Sequence, residues 1–207
     1  MNLRELYTVP SHLSALGKPL EARREKFRYG IDPVQDDIER EITKFGFEYA
    51  GAGRSGIVFS HPQKNYVIKI SVIDDTAYSD FINICHTNPH FPKIIGKPFI
   101  YKKNFLVTRI ETLAPISRQL FKQAVNASDH IIIQTEGDHD MIPLSPKYII
   151  KAEMFLDDFP QWESAIQAIL TLSKKHKGSF IDIHEGNIMS RDGFPVFVDP
   201  LGLDHII

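Results

Sequence analysis

Toward the C-terminal end of this 207-residue chain, the run SFIDIHEGNIMSRDGFPVFVDPLG sets out three oxygen-bearing side chains in order: Asp182, Asn187 and Asp199. An apolar hairpin separates the last two, with Arg191-Asp192-Gly193 as its turn. A carboxylate at Asp182 suits a base that accepts or orients the proton of an attacking hydroxyl. Asn187 and Asp199 supply hard oxygens of the kind that hold magnesium on phosphate groups. His184, two residues past the base, stands where it would help to neutralise a moving phosphoryl group. The bland alternative is an ordinary hairpin with polar turn residues.

A second set lies far upstream. Gly51-Ala52-Gly53-Arg54-Ser55-Gly56-Ile57-Val58 fits G-x-G-x-x-G-x-V, in which missing side chains let backbone N–H groups reach phosphate oxygens. Gly51, Gly53, Ser55, Gly56 and Val58 are therefore candidate nucleotide contacts. The same glycines open dinucleotide-binding domains, but a helix follows them there, and here Ile57-Val58-Phe59-Ser60 reads as a strand. A tight hairpin turn is what the glycines alone also fit. Val67-Ile68-Lys69 then puts a lysine into an apolar strand, as in the V-A-I-K signature whose lysine meets the α- and β-phosphates. Alternation along that strand also accommodates a solvent-facing lysine; its position after the glycines favours phosphate.

Positioning these groups requires both sheet and helices. Asp32-Pro33 marks a helix start, with Val34, Ile38, Ile42 and Phe45 at helical spacing and Gly46 as its end. FEYAGAGRSGIVFSH and NYVIKISV read as strands joined by a turn at 61–65, and KPFIY and NFLVTRI as two more. Between these pairs, Thr76 to His86 reads as a helix with Asp74 or Asp75 as cap and a stripe of Ala77, Tyr78, Phe81, Ile82, Ile84 and Cys85. Glu111 to Pro115 is a connector. Helices are predicted over Ser117–Ala127, Pro146–Asp157 and Pro160–Lys177, with Trp162 in the core; IIIQTEGDHDMIPL reads as a strand and an acidic loop. The Glu136–Asp140 cluster is more in keeping with a solvated loop than with a metal site, and Cys85 with helix packing than with catalysis.

Composition narrows the partners. With 24 Lys and Arg against 26 Asp and Glu, a formal charge of -2, the chain has no electrostatic footprint for nucleic acid or an anionic membrane. A single cysteine excludes an internal disulfide and fits the cytoplasm, or delivery into a host cell's cytoplasm. The first thirty residues read neither as a signal peptide nor as a membrane span, and a monomer is expected.

Taken together, D-I-H-E-G-N-I-M, V-D-P, the S-H-P-x-x-x-N-Y-V-I-K run and A-Y-x-x-F followed by F-P-K-I resemble the protein-kinase-like superfamily. They are most similar in flavour to short phage-encoded early serine/threonine kinases and to minimal bacterial effector kinases. The resemblance runs from about Gly51 to Gly202. It implies an α+β, minimal two-lobe kinase fold: residues 1–46 a helical extension, 47–112 a small antiparallel N-lobe, 113–207 a truncated helical C-lobe. It further implies ATP and Mg2+ as cofactors, a protein serine or threonine as acceptor, Asp182 as base, Asn187 and Asp199 on the metal, and Lys69 on the phosphates. Backbone at Glu111 and Leu113 would bond the adenine, with Ala50, Val58 and Val67 lining its slot. Aminoglycoside-type small-molecule phosphotransferases share D-x-H-x-x-N, and a pseudokinase binding module is a further alternative. The chain departs from the common pattern in three ways. Phe180-Ile181-Asp182 replaces H-R-D, Asp199-Pro200-Leu201-Gly202 replaces D-F-G, and no glutamate lies between Lys69 and Glu111, which leaves Asp80 as the candidate partner of the lysine.

Overall fold

The computed structural model describes residues 32–53, 56–101, 104–136 and 145–203. Among the described residues the chain divides into two units, one holding residues 32–79 with Lys93–Thr112, the other Asp80–Pro92 with residues 113–203. One division falls between Thr112 and Leu113, and Asp80–Pro92 belongs with the second unit.

The first unit is a five-stranded antiparallel sheet in the order β1-β2-β3-β5-β4, made of β1 (Glu48–Ala52), β2 (Gly56–Ser60), β3 (Tyr66–Val72), β4 (Phe99–Tyr101) and β5 (Phe105–Glu111). β3 and β5 pair along their whole length, from Tyr66 opposite Glu111 to Val72 opposite Phe105. Strand side chains alternate, so this register assigns every residue a face. One face carries Ile57, Phe59, Ile70, Phe105 and Val107 into a core that is closed by Ile38 and Ile42 of helix α1 (Asp32–Thr43). Ile38 and Ile42, one turn apart on one face of the helix, are thus part of the sheet's core. Gly46, at φ +79°, ends the run as expected.

Helix α2 (Thr76–Ile84) follows β3. Asp75 caps it, its Oδ1 accepting the Tyr78 N–H at 2.9 Å. In the second unit, α3 (Arg118–Glu136), α4 (Pro146–Asp158) and α5 (Trp162–Lys175) surround a fully buried Trp162. The Trp162 ring stacks on Phe197 at 4.3 Å between centroids, and its Nε1 donates to Ser128 Oγ. α3 runs nine residues past its predicted end, so Ile131–Glu136 are helical and not a strand. Three consecutive isoleucines favour β structure by themselves, but Ala124, Ala127, Ser128 and Ile131 form a buried stripe at helical spacing, and that burial decides. Of the acidic cluster only Glu136 is described; it pairs with Lys174 at 2.8 Å. Residues 137–140, like the N-terminal residues before Asp32, lie outside the described ones.

Two small sheets complete the unit. β6 (Ala114–Pro115), β8 (Ile188–Arg191) and β9 (Phe194–Phe197) form one, and β7 (Ser179–Ile181) with β10 (Leu201–Leu203) the other. The β8–β9 hairpin turns where the sequence indicates, through Asp192 and Gly193 at positive φ.

Candidate active site

Asp182, Asn187 and Asp199 are drawn together by backbone pairing in the second unit. β7 and β10 pair antiparallel with Ile181 opposite Leu201, and the Asp182 N–H continues that ladder to the Pro200 carbonyl at 2.9 Å. On the other side of Asp199, the Val198 N–H bonds the Asn187 carbonyl, also at 2.9 Å. Asp199 is therefore bracketed by two residues, one tied to Asp182 and one to Asn187. The pairing of β7 with β10 was not read from sequence, since three-residue strands carry no usable period.

The Asn187 side chain, buried apart from 8% of its surface, is oriented by the same loop. Its Nδ2 donates to the Asp182 carbonyl at 2.9 Å, and its N–H bonds the His184 carbonyl. With the donor end of the amide engaged, Oδ1 is the end left to accept. That oxygen and the Asp199 carboxylate fit a hard cation such as Mg2+, which keeps most of its remaining shell for phosphates and water. Asp182 and His184 are more open, their side chains 37% and 57% exposed, with His184 Nε2 3.6 Å from Asp182 Oδ2. The Gly186 N–H donates to His184 Nδ1 at 3.0 Å. In the neutral ring that bond assigns the proton to Nε2, on the side of Asp182. A Cβ at Gly186 would lie 2.9 Å from His184 Cε1, so glycine is what permits this approach. Gly186 stands inside the quoted D-I-H-E-G-N run, yet nothing in its type announced a role.

The upstream set lies in the first unit. Register puts Val58, Val67, Lys69, Ser71 and Thr108 on the sheet face opposite the α1 core, with Val58 and Thr108 directly across from Lys69. Lys69 is 7% exposed and is thus not the solvent-facing lysine that alternation also allowed. Its Nζ sits 3.7 Å from the centroid of the Tyr78 ring, which is itself buried. Gly56 makes room for it: a Cβ there would meet Lys69 Cε at 3.2 Å and Ser71 Oγ at the same distance. At Gly51 and Gly53 a Cβ would meet nothing within 4 Å, and neither has a positive φ. Ser55 lies outside the described residues. Ala50 falls at the irregularity between Tyr49 and Gly51 and is exposed.

Asp80 is not the partner of Lys69. Its Oδ2 takes Lys175 Nζ at 2.6 Å and His176 Nε2 at 2.8 Å, and the Lys175 hydrogen bond, ahead of the opposing effect of burial, holds its carboxyl below the ordinary range. Its position on α2 turns it toward the end of α5, a contact ninety-five residues away in sequence. In the connector, Glu111 ends β5 with its N–H on the Lys93 carbonyl and its Oε1 accepting the Lys93 N–H. The Thr112 N–H goes to Asn65, while Leu113 lies between β5 and β6 and belongs to neither ladder.

Among the described residues, no three His, Cys, Asp or Glu side chains cluster to hold a metal by themselves, and no helix is long and apolar enough to cross a membrane. A scan against models of known protein families gives no match, and neither does a search of curated proteins.

Proposed function

We propose that the chain is an ATP-dependent protein kinase of minimal, two-lobe kinase-like fold that transfers the γ-phosphoryl group to a serine or threonine hydroxyl of a protein. One observation carries this reading: the Asp182–Asn187–Asp199 loop, in which the Asn187 amide is pinned through Nδ2 to the Asp182 carbonyl with Oδ1 turned to accept. A structural asparagine in a hairpin has no need of a carboxylate on either side at that spacing. A buried lysine one strand after a glycine hairpin supports the same reading. So do Gly51 and Gly53, whose lack of a side chain serves neither local conformation nor packing among the described residues and is accounted for by an approaching phosphate chain.

In this mechanism Asp182 orients the attacking hydroxyl and takes its proton. Lys69 binds the α- and β-phosphate oxygens, and the glycine hairpin covers them with backbone N–H groups. Magnesium, when bound with the nucleotide, would supply charge neutralisation at the phosphates, with Asn187 Oδ1 and Asp199 as its protein ligands. His184, its Nε2–H on the Asp182 side, would offer a hydrogen bond where charge develops. The Glu111 carbonyl and the Leu113 peptide would meet the adenine edge. Without an arginine before Asp182, activity should not await phosphorylation of an activation segment. A cytoplasmic target, of the cell itself or of a host, belongs to the same proposal.

The test is transfer of label from γ-labelled ATP into protein in a lysate, with Asp199→Ala as control. Label in protein above that control supports the reading, and no transfer above it rejects it. Label found only in a small molecule would replace the protein acceptor by a metabolite hydroxyl.

A further inference from the structure

We propose that Phe180 is a specificity-determining residue for the acceptor, its outer ring face receiving a large apolar side chain two residues from the serine or threonine that Asp182 deprotonates. This inference deepens the phosphotransfer reading and rests on it. The ladder of β7 and β10 pairs Phe180 with Gly202 and Ile181 with Leu201, and the Asp182 N–H carries it one step further to the Pro200 carbonyl. Alternation therefore sends Phe180 and Asp182 out on one side of the ladder, with Ile181 and the buried Leu201 on the other.

Beneath the ring lies backbone. A Cβ at Gly202 would stand 2.3 Å from Phe180 Cζ and 2.7 Å from each Cε. A point equidistant from both Cε, and almost as near to them as to Cζ, is over the ring face and not off its edge. The ring is thus laid flat across Gly202, and glycine is what permits it. One face is used up in this way. Phe180 is nevertheless 40% exposed, so its outer face meets solvent. Of the large apolar residues that are exposed among the described ones, it alone lies within two residues of a site carboxylate.

Spacing and chemistry define the occupant. At a strand repeat of about 3.3 Å per residue, Phe180 and Asp182 are about 6.6 Å apart along the ladder. An extended acceptor segment has the same repeat, so the side chain two places from the reacting hydroxyl leaves on the same side and reaches the ring. Gly202 and Pro200, opposite Phe180 and Asp182, bring no side-chain donor or acceptor to that side. An apolar side chain laid on the ring removes two surfaces from water at once, whereas a neutral polar one would lose water and gain no partner. A cationic side chain would answer to Asp182 as much as to the ring, so its binding would not depend on Phe180.

The experiment gives the full chain γ-labelled ATP and a positional-scanning library of serine and threonine peptides, each varied at one place near the acceptor, with a lysate in parallel. At one of the two places two residues from the acceptor, the wild-type chain should prefer Leu, Ile, Met or Phe to Ser by about tenfold in kcat/KM. Phe180→Ser should reduce that ratio to about twofold or less. Because the ratio is taken within one variant, a general loss of activity cancels. Phe180→Arg, whose stem and planar head can lie across Gly202 as the ring does, should turn the preference to Asp and Glu at the same place. That variant decides the matter if Phe180→Ser does not fold. Peptide labelling with no apolar preference at either place, a preference there for Lys and Arg, or an apolar one that the Phe180 variants leave intact would overturn the proposal. So would label in lysate proteins with none in any peptide, since recognition would then lie away from the acceptor. Absence of Asp199-dependent label from lysate and peptides alike rejects the phosphotransfer reading itself, and this inference with it.

Discussion

An asparagine donates through Nδ2 and accepts through Oδ1, and at Asn187 the fold assigns the two ends separately. Asn187→Asp therefore makes a sharp test, since it improves the ligand while replacing the donor with a second acceptor against the Asp182 carbonyl. It should cost about 1–3 kcal/mol of stability, as expected for a buried hydrogen bond turned into a clash of lone pairs. Transfer should fall by at least about tenfold despite the added negative charge; undiminished activity would show that the anchor is dispensable. The glycines yield the opposite pattern. Gly51→Ala and Gly53→Ala meet open space, so each should leave stability unchanged or raise it by up to about 1 kcal/mol through the unfolded chain. The same variants should raise KM for ATP, and parallel melting and kinetic measurements would separate these effects. Asp182, Asn187 and Asp199, polar residues at fixed spacing, were legible in sequence as one loop, and Lys69 separately as a lysine within an apolar strand. Tyr78 and Gly186 were not, because an aromatic on a helix stripe and a glycine in a turn are the commonest things to find there. What each touches depends only on what the fold brings within 4 Å of it.

At the scale of elements, hydrophobic period identified every strand of the larger sheet and every long helix. It failed where another force set the outcome. Ile131–Ile133 reads as a strand until the buried stripe of α3 is drawn through it. β7 and β10 are three residues each and exist because the chain is pinned at both ends of the site loop. α1 lay outside the resemblance, yet Ile38 and Ile42 are 1% and 3% exposed in the core of the sheet. Ile38→Ala should cost roughly 2–5 kcal/mol. Loss of that size, measured by denaturant unfolding, distinguishes an integral helix from an appendage, whose truncation would be nearly silent. Asp80→Asn, by contrast, removes a partly exposed pair of ion contacts between α2 and the end of α5. Its cost should be only about 0.2–1 kcal/mol and should shrink in high salt.

For the molecule as a whole, the segment Asp80–Pro92 is what the chain sends from α2 into the second unit, and His90 is where it is fastened. The imidazole is fully buried, stacked on Phe194 at 4.3 Å and edge-on to Trp162, with Nδ1 2.8 Å from the Pro195 carbonyl. Phe197 donates its N–H to the His90 carbonyl, and Arg191 reaches the carbonyls of Pro89 and Phe91 on either side. Burial is the largest cause that pushes the His90 pKa down from 6.5 to about 4, and the Arg191 charge adds to it against the Pro195 hydrogen bond. The unfolded chain therefore takes up a proton near pH 6.5 that the folded chain refuses until about pH 4. Between those values the unfolded state binds more protons, so stability is whole above pH 6.5 and falls as the pH drops through the window. The loss amounts to about 3 kcal/mol by pH 4, or a melting midpoint lower by about 10 °C for a chain of this size. Asp129, whose carboxyl is raised by burial, works in the opposite direction at the acid end, so a control specific to His90 is needed. His90→Phe keeps the stacking plane and removes the titrating group. It should melt lower at pH 7, for want of the Pro195 hydrogen bond, yet show a much flatter profile from pH 6.5 to 4. Parallel profiles for the two proteins would mean that acid acts elsewhere and that His90 is not the group that limits stability at low pH.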